Sequence, residues 1–95
     1  MQKWQSFPTW VKTFASQTNV MHWEDENAVL YLGLDSGLIH RFKCPKEKNL
    51  TIMQELEIIS VHNTMKRVMG ISVDPRVNHM FSISESTYLI VTDLK

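Results

Sequence analysis

Apolar and polar residues alternate in short runs along much of the chain, and turn-forming residues separate the runs. Because side chains alternate between the two faces of a strand, this pattern predicts β-strands. Two segments have the form strand, turn, strand: LYLGLDSGLIHRF at residues 30–42 and, less cleanly, MFSISESTYLIV at residues 80–91. The apolar pairs that precede them, Val20-Met21 and Val68-Met69, start 48 positions apart. A hairpin pattern that recurs at such an interval predicts a repeat architecture.

The remaining segments complete the predicted sheets. Trp10 to Phe14 (WVKTF) predicts a short leading strand at residues 10–14. Residues 51–61 (TIMQELEIISV) alternate as an edge strand does, although Ile52, Leu56 and Ile59 would also share one face of a helix. We favour the strand, because the repeat requires a fourth strand here. The first sheet is then expected at residues 20–61 and the second at residues 68–95.

With the strands of each sheet lettered a to d, the predicted order is d, abcd, abc. It predicts an all-β fold made of two consecutive four-stranded antiparallel blades of a β-propeller, within a partial repeat domain that spans residues 1–95. Propellers close with about 4–8 blades, so two blades form an incomplete ring. The chain is expected to be part of a larger propeller, or a unit that closes with other copies of itself.

Charge and cysteine content narrow the function classes. Ten basic and ten acidic residues cancel, so no net field attracts nucleic acid or an anionic membrane. Cys44 is the single cysteine in the sequence, which favours a reducing compartment. No run approaches the length of a membrane span, and no signal-peptide pattern opens the sequence. We expect a cytoplasmic protein that neither inserts into membranes nor binds nucleic acid.

Candidate chemistry is sparse. Four histidines and Cys44 lack the spacing that sets metal ligands on one face of an element. Glu55 and Glu57 share one face of the predicted edge strand, where solvated charges are normal. Gly33 and Gly37 do not form a phosphate-binding loop. We therefore expect no catalytic, metal or cofactor site, and no enzyme activity. The histidines are His22, His40, His62 and His79.

Three stretches resemble the WD-repeat family, and more narrowly the proteins that carry both WD repeats and a FYVE finger: FPTWVKTFASQTNVMHW, LYLGLDSGLIHRF and VHNTMKRVMGIS. The resemblance spans most of residues 7–94. A FYVE finger needs a set of cysteine and histidine zinc ligands, so the finger itself is absent from a chain with one cysteine.

In that family a loop histidine, a turn aspartate, a strand-b hydroxyl and a strand-c tryptophan form a buried network in each blade. By resemblance, His62 takes the histidine position and Ser82 the hydroxyl position. Ser86 stands where aspartate is usual, and Thr92-Asp93 fills the Trp-Asp position. The second blade thus lacks two of the four members.

In the first blade Asp35 matches the turn aspartate, but Ala15-Ser16 offers no histidine to meet it. These departures imply a divergent pair of blades. The resemblance implies a non-catalytic protein-interaction scaffold whose rim loops bind other proteins. It also implies a parent that acts on endosomal membranes through a phosphoinositide-binding finger outside this chain. The alternative is a small accessory β-domain that completes a sheet in a multi-subunit enzyme.

Overall fold

The computed structural model describes residues 10–45, 53–62, 65–86 and 88–94. These ranges contain β-strands and no helix. The strands are β1 (Thr18–Glu24), β2 (Val29–Leu34), β3 (Ile39–Lys43), β4 (Gln54–Glu55), β5 (Val68–Asp74), β6 (His79–Ser84) and β7 (Leu89–Asp93). The expected all-β fold is confirmed.

The strands form two antiparallel sheets. Sheet A has the order β1-β2-β3-β4, and sheet B has the order β5-β6-β7. The edge strand β4 is short, but Ile59 continues its pairing through two backbone hydrogen bonds with Ile39 of 3.0 and 2.9 Å. The ambiguous segment is therefore an irregular edge strand over its described residues, while residues 51 and 52 lie outside them.

Sheet B repeats the first three strands of sheet A. Strand β5 starts at residue 68, which is 50 positions after the start of β1 at residue 18, and β6 and β7 follow β2 and β3 at the same spacing. Ala28 and Asn78 share a φ of 55° at equivalent turn positions. Their carbonyl oxygens accept equivalent hydrogen bonds of 2.8 Å, from the Cys44 and Leu94 amides.

The interval of 48 positions expected from the apolar pairs is thus wrong by two. Both first strands contain a bulge, between Thr18 and Val20 in sheet A and between Val68 and Gly70 in sheet B. The visible apolar pairs lie on different sides of this bulge, so aligning them shifts the register. Val20 corresponds to Gly70, and Thr18 corresponds to Val68.

Each sheet has two faces, which cross-strand pairing defines. We call the face that carries the odd-numbered residues of β2 or β6 the front face, and the opposite one the back face. The front face of sheet A packs on the back face of sheet B. The buried core at this junction comprises Val29, Tyr31 and Ile39 from sheet A with Val68 and Met80 from sheet B.

The leading strand expected at residues 10–14 is not present. Instead the Trp10 and Phe14 rings lie edge-on to Phe42, with ring centroids 5.4 and 5.9 Å away. The alternation that predicted a strand here reflects aromatic side chains turned onto the back face of sheet A. Over the described residues the structure therefore has one four-stranded and one three-stranded sheet, without a strand before β1.

Candidate functional site

Gly33 determines how closely the two sheets approach each other. A Cβ atom at this buried position of β2 would lie 2.6 Å from Val68 Cγ1 and 2.7 Å from Val68 Cβ. It would also lie 2.8 Å from Val20 Cγ2 on the neighbouring strand. Contacts this short do not occur between real side chains, so glycine is what allows β5 to approach β2. The polar groups of the junction are arranged around this approach.

His62 and Ser82 form a buried polar pair on the back face of sheet B. His62 Nε2 lies 2.9 Å from Ser82 Oγ, and the two residues are 6% and 1% exposed. Burial lowers the pKa of His62, which favours the neutral ring. A neutral imidazole has one donor and one acceptor nitrogen, and a hydroxyl can pair with either. His62 Nδ1 is buried and has no hydrogen-bond partner among the described residues.

The other two positions that the resemblance assigns to a blade network hold shorter side chains than the aspartate and tryptophan it implies. Ser86 Oγ, at the aspartate position, lies 2.6 Å from Ser84 Oγ rather than bonding to His62. Thr92 Oγ1, at the tryptophan position, is buried and unpaired within the described part of the chain. The structure thus brings together two of the four positions, His62 and Ser82.

Asp35 lies apart from that pair, at the turn between β2 and β3. Its Oδ1 atom is buried and makes no hydrogen bond to any described residue, and the nearest cation is Arg67, whose Nε is 4.0 Å away. Arg67 instead forms a closer ion pair with Glu85. Ser16 Oγ donates a hydrogen bond of 3.1 Å to Ser36 Oγ. The segment before β1 is therefore joined to the turn between β2 and β3 by two serines and not by Asp35.

The structure has a cleft at one rim of the junction between the sheets, which the sequence did not lead us to predict. Glu24 is only 4% exposed, and its carboxylate accepts the amide hydrogens of Glu26 and Asn27 at 2.7 and 3.0 Å. Nearby, burial raises the pKa of Tyr31, and the charge of Arg41 partly opposes this effect. Residues of both sheets line the cleft, which has a volume of about 190 Å³.

A signal for this rim does exist in the sequence. Asp74 occupies the position equivalent to Glu24, and its carboxylate accepts the Arg76 amide at 3.1 Å and also pairs with the Arg76 side chain. These hydrogen bonds lower the pKa of Asp74. A carboxylate that ends a strand and caps the following turn recurs at the repeat spacing. The two carboxylates become equivalent only when the repeat is aligned at its observed spacing of 50 positions.

Two apolar sheet faces are exposed. The front face of sheet B carries Phe81, Ile83, Leu89 and Val91, which are 36–66% exposed. The back face of sheet A carries Met21 and Trp23, which are 71% and 45% exposed, beside the half-buried Leu30 and Leu32. Single exposed apolar residues need no explanation, but contiguous rows of them mark interaction surfaces.

The remaining candidates do not assemble into a site. No group of three potential metal ligands comes together in the ranges that the structure describes. His40 packs against Phe14, with ring centroids 5.0 Å apart, and burial lowers its pKa. Glu55 pairs with Lys12, while the Glu57 carbonyl accepts hydrogen bonds from Arg41. Both glutamates are exposed, as predicted for solvated edge residues.

Within the described residues, no helix is long and apolar enough to cross a membrane. Comparison with protein-family models, with curated protein sequences and with solved structures gives no match.

Proposed function

We propose that this chain is a two-blade part of a WD-repeat-type β-propeller and serves as a non-catalytic protein-interaction scaffold. The observation that carries the proposal is the 50-residue structural repeat of stacked sheets, front face on back face, with the same bulge and the same turn in each. Stacked antiparallel sheets that repeat at this scale are typical of propeller blades. The His62–Ser82 pair supports the assignment for the second blade.

The rim turns are the proposed contact surface for partner proteins. Residues 25–28 and 75–78 connect equivalent strands and lie at the same rim, where the cleft opens. Its volume of about 190 Å³ is below the roughly 300–1,000 Å³ of small-molecule sites, which favours contact with a protein surface over enclosure of a substrate. Exposed Asp25 and Glu26 give this rim an acidic character that suits a basic partner segment.

A structure of the full-length protein tests the proposal. We expect further sheets stacked about a common axis with the two described here. A photoreactive residue in place of Glu26, at the rim, should crosslink to other proteins. The same residue in place of Phe81, on the front face of sheet B, should crosslink to a neighbouring sheet. A full-length structure in which sheets A and B stand alone, with both faces bare, would contradict the propeller assignment.

Because the sequence resembles proteins with a FYVE finger, we also propose that the parent protein localises to endosomes. A part of the parent outside this chain would direct it there. A fluorescent fusion of the full-length protein that stays diffuse in the cytoplasm would contradict this localisation and leave the scaffold role intact.

One observation favours a second candidate function. Strand β7 pairs only with β6 among the described residues, whereas the equivalent strand β3 also pairs with β4. An open edge of this kind accepts a strand from another chain. We therefore keep an accessory β-domain that completes a sheet of a larger enzyme as the alternative. Protection of the β7 amides from hydrogen exchange in an enzyme complex, with the two sheet faces unprotected, would favour this alternative.

A further inference from the structure

The repeat relates each exposed sheet face to a covered one. Moving 50 positions along the chain carries the covered front face of sheet A onto the exposed front face of sheet B. The same step carries the exposed back face of sheet A onto the covered back face of sheet B. The junction inside the chain, a front face against a back face, is therefore the template for a contact between the two exposed faces.

The exposed front face of sheet B keeps the apolar character of its covered counterpart. Phe81 takes the position of buried Tyr31, and Leu89 takes that of buried Ile39. Val91 replaces Arg41, so the centre of the exposed face is more apolar than the face that sheet B covers. Side chains that only had to meet water would not need to be large and apolar at each of these positions.

The row that determines how closely two sheets approach is rearranged on the exposed face. In sheet A this row pairs Val20 with Gly33, and in sheet B the equivalent pair is Gly70 with Ile83. The large residue and the glycine have exchanged strands, so Ile83 stands where Gly33 admits Val68. A sheet that docks on this face therefore comes closest at Gly70 on β5 rather than at β6, and the contact is shifted relative to the internal junction.

The back face of sheet A matches the other side of the contact. Met21 occupies the position of Ile71, which packs against the core, and Leu30 occupies that of the buried Met80. The lead-in aromatics Trp10 and Phe14 cover the β3 side of this face and leave Met21 exposed. The chain has no net charge that would oppose contact between copies.

We propose that a second copy of this chain docks the back face of its sheet A on the front face of sheet B of the first copy, head to tail. This inference rests on the proposed scaffold function and names its first partner. A contact between two different faces repeats until it closes into a ring or continues as an open array. With two sheets in each copy, a ring of about 4–8 sheets needs about two to four copies.

Sedimentation velocity of the 95-residue chain and three variants tests the proposal. We expect the wild type to assemble at about 100 μM, a concentration that populates a contact with a Kd in the micromolar range. Met21→Lys on the back face of sheet A and Val91→Lys on the front face of sheet B should each raise the apparent Kd of assembly at least tenfold. Met65→Lys is the matched control, because Met65 is 84% exposed in a loop and lies on neither face.

Mixing Met21→Lys with Val91→Lys tests whether the contact joins two different faces. Met21→Lys keeps an intact front face of sheet B, and Val91→Lys keeps an intact back face of sheet A. An equimolar mixture should therefore form a heterodimer and nothing larger. A mixture that stays monomeric would overturn the head-to-tail contact, and so would a wild type that is monomeric at about 100 μM. Circular dichroism of each variant confirms that it is folded.

The failure of this inference is distinguishable from failure of the scaffold function. If the full-length protein covers both faces with further sheets of its own, and this chain stays monomeric, the scaffold stands and the second copy is excluded. If both faces are bare in the full-length protein and the chain stays monomeric, both proposals fall.

Discussion

Replacing Gly33 by alanine tests whether the close approach of the two sheets is essential. The added Cβ atom would lie within 2.8 Å of three side-chain atoms, two of them on Val68. Val20 Cγ2 can move away by rotation about χ1. Val68 Cβ is fixed to the backbone of β5, so rotation cannot relieve the 2.7 Å contact with it. The sheets must therefore separate, or a strand must bend.

The expected cost follows from two opposing effects. Overpacking a core that cannot relax costs about 1–3 kcal/mol. Alanine in place of glycine in a strand interior returns roughly 0.5–1 kcal/mol, because it reduces the entropy of the unfolded chain. We expect Gly33→Ala to lower the free energy of unfolding by about 1.3 kcal/mol, the difference between the midpoints of these ranges. For a domain of this size each kcal/mol lowers Tm by about 4–8 °C.

Gly70→Ala is the matched control. It is also a strand glycine, and its added Cβ atom would meet only Ile83 Cγ2, the movable end of a side chain, at 3.2 Å. We expect it to change the unfolding free energy by about 0.5 kcal/mol or less, in either direction.

Urea unfolding followed by tryptophan fluorescence measures both variants, at several protein concentrations so that assembly does not enter the comparison. Equal midpoints for the two variants, or a Gly33→Ala chain more stable than wild type, would show that the sheets do not approach as closely as described.

Two further predictions concern the polar groups of the junction. His62→Ala leaves the buried Ser82 hydroxyl without its partner and should cost about 1–3 kcal/mol in urea unfolding, whereas Asp35→Ala should cost on the order of 1 kcal/mol or less. Equal costs, or a larger one for Asp35, would mean that the His62–Ser82 pair does not stabilise sheet B. Burial lowers the folded-state pKa of both His62 and His40, so below a pH of about 6.5 the unfolded chain binds more protons than the folded chain. The free energy of unfolding should therefore have its full value above that pH and decrease as the pH falls through it. His62→Gln should flatten this decrease, and an unchanged slope would assign the acid sensitivity to other groups.

The sheets could be predicted from the sequence because their signals are local. The nearly continuous apolar run at residues 28–34 and the turn residues Asp35 and Gly37 identify β2 and β3 without any knowledge of the rest of the chain. The recurrence at residues 80–91 extends the same reasoning to β6 and β7. Hairpin register depends on neighbours in the sequence, so it is visible there.

The errors arose where long-range contacts decide the structure. Residues 10–14 alternate as a strand does, but pairing needs a neighbouring strand, and the aromatic residues pack on Phe42 instead. The apolar pairs that indicated an interval of 48 positions lie on different sides of equivalent bulges, so the apparent repeat was two positions too short. His62 could be matched to Ser82 from the resemblance, yet nothing local predicted the burial of Glu24, which depends on how the two sheets meet.

The polar pair gives the internal junction a property that the exposed faces lack. Ser82 corresponds to Leu32, so the covered back face of sheet B holds a hydroxyl where the open back face of sheet A holds an apolar side chain. Leaving a buried hydroxyl unpaired costs free energy, so the hydrogen bond between His62 and Ser82 favours the closed junction. The junction within a chain is thereby fixed in one arrangement, while the apolar back face of sheet A remains free to accept a front face from outside. Replacing Ser82 by alanine together with His62 by leucine removes both hydrogen-bonding groups at similar volume. Stability should therefore be nearly preserved, while the preference for the internal junction weakens, which would appear as exchange of sheets between copies.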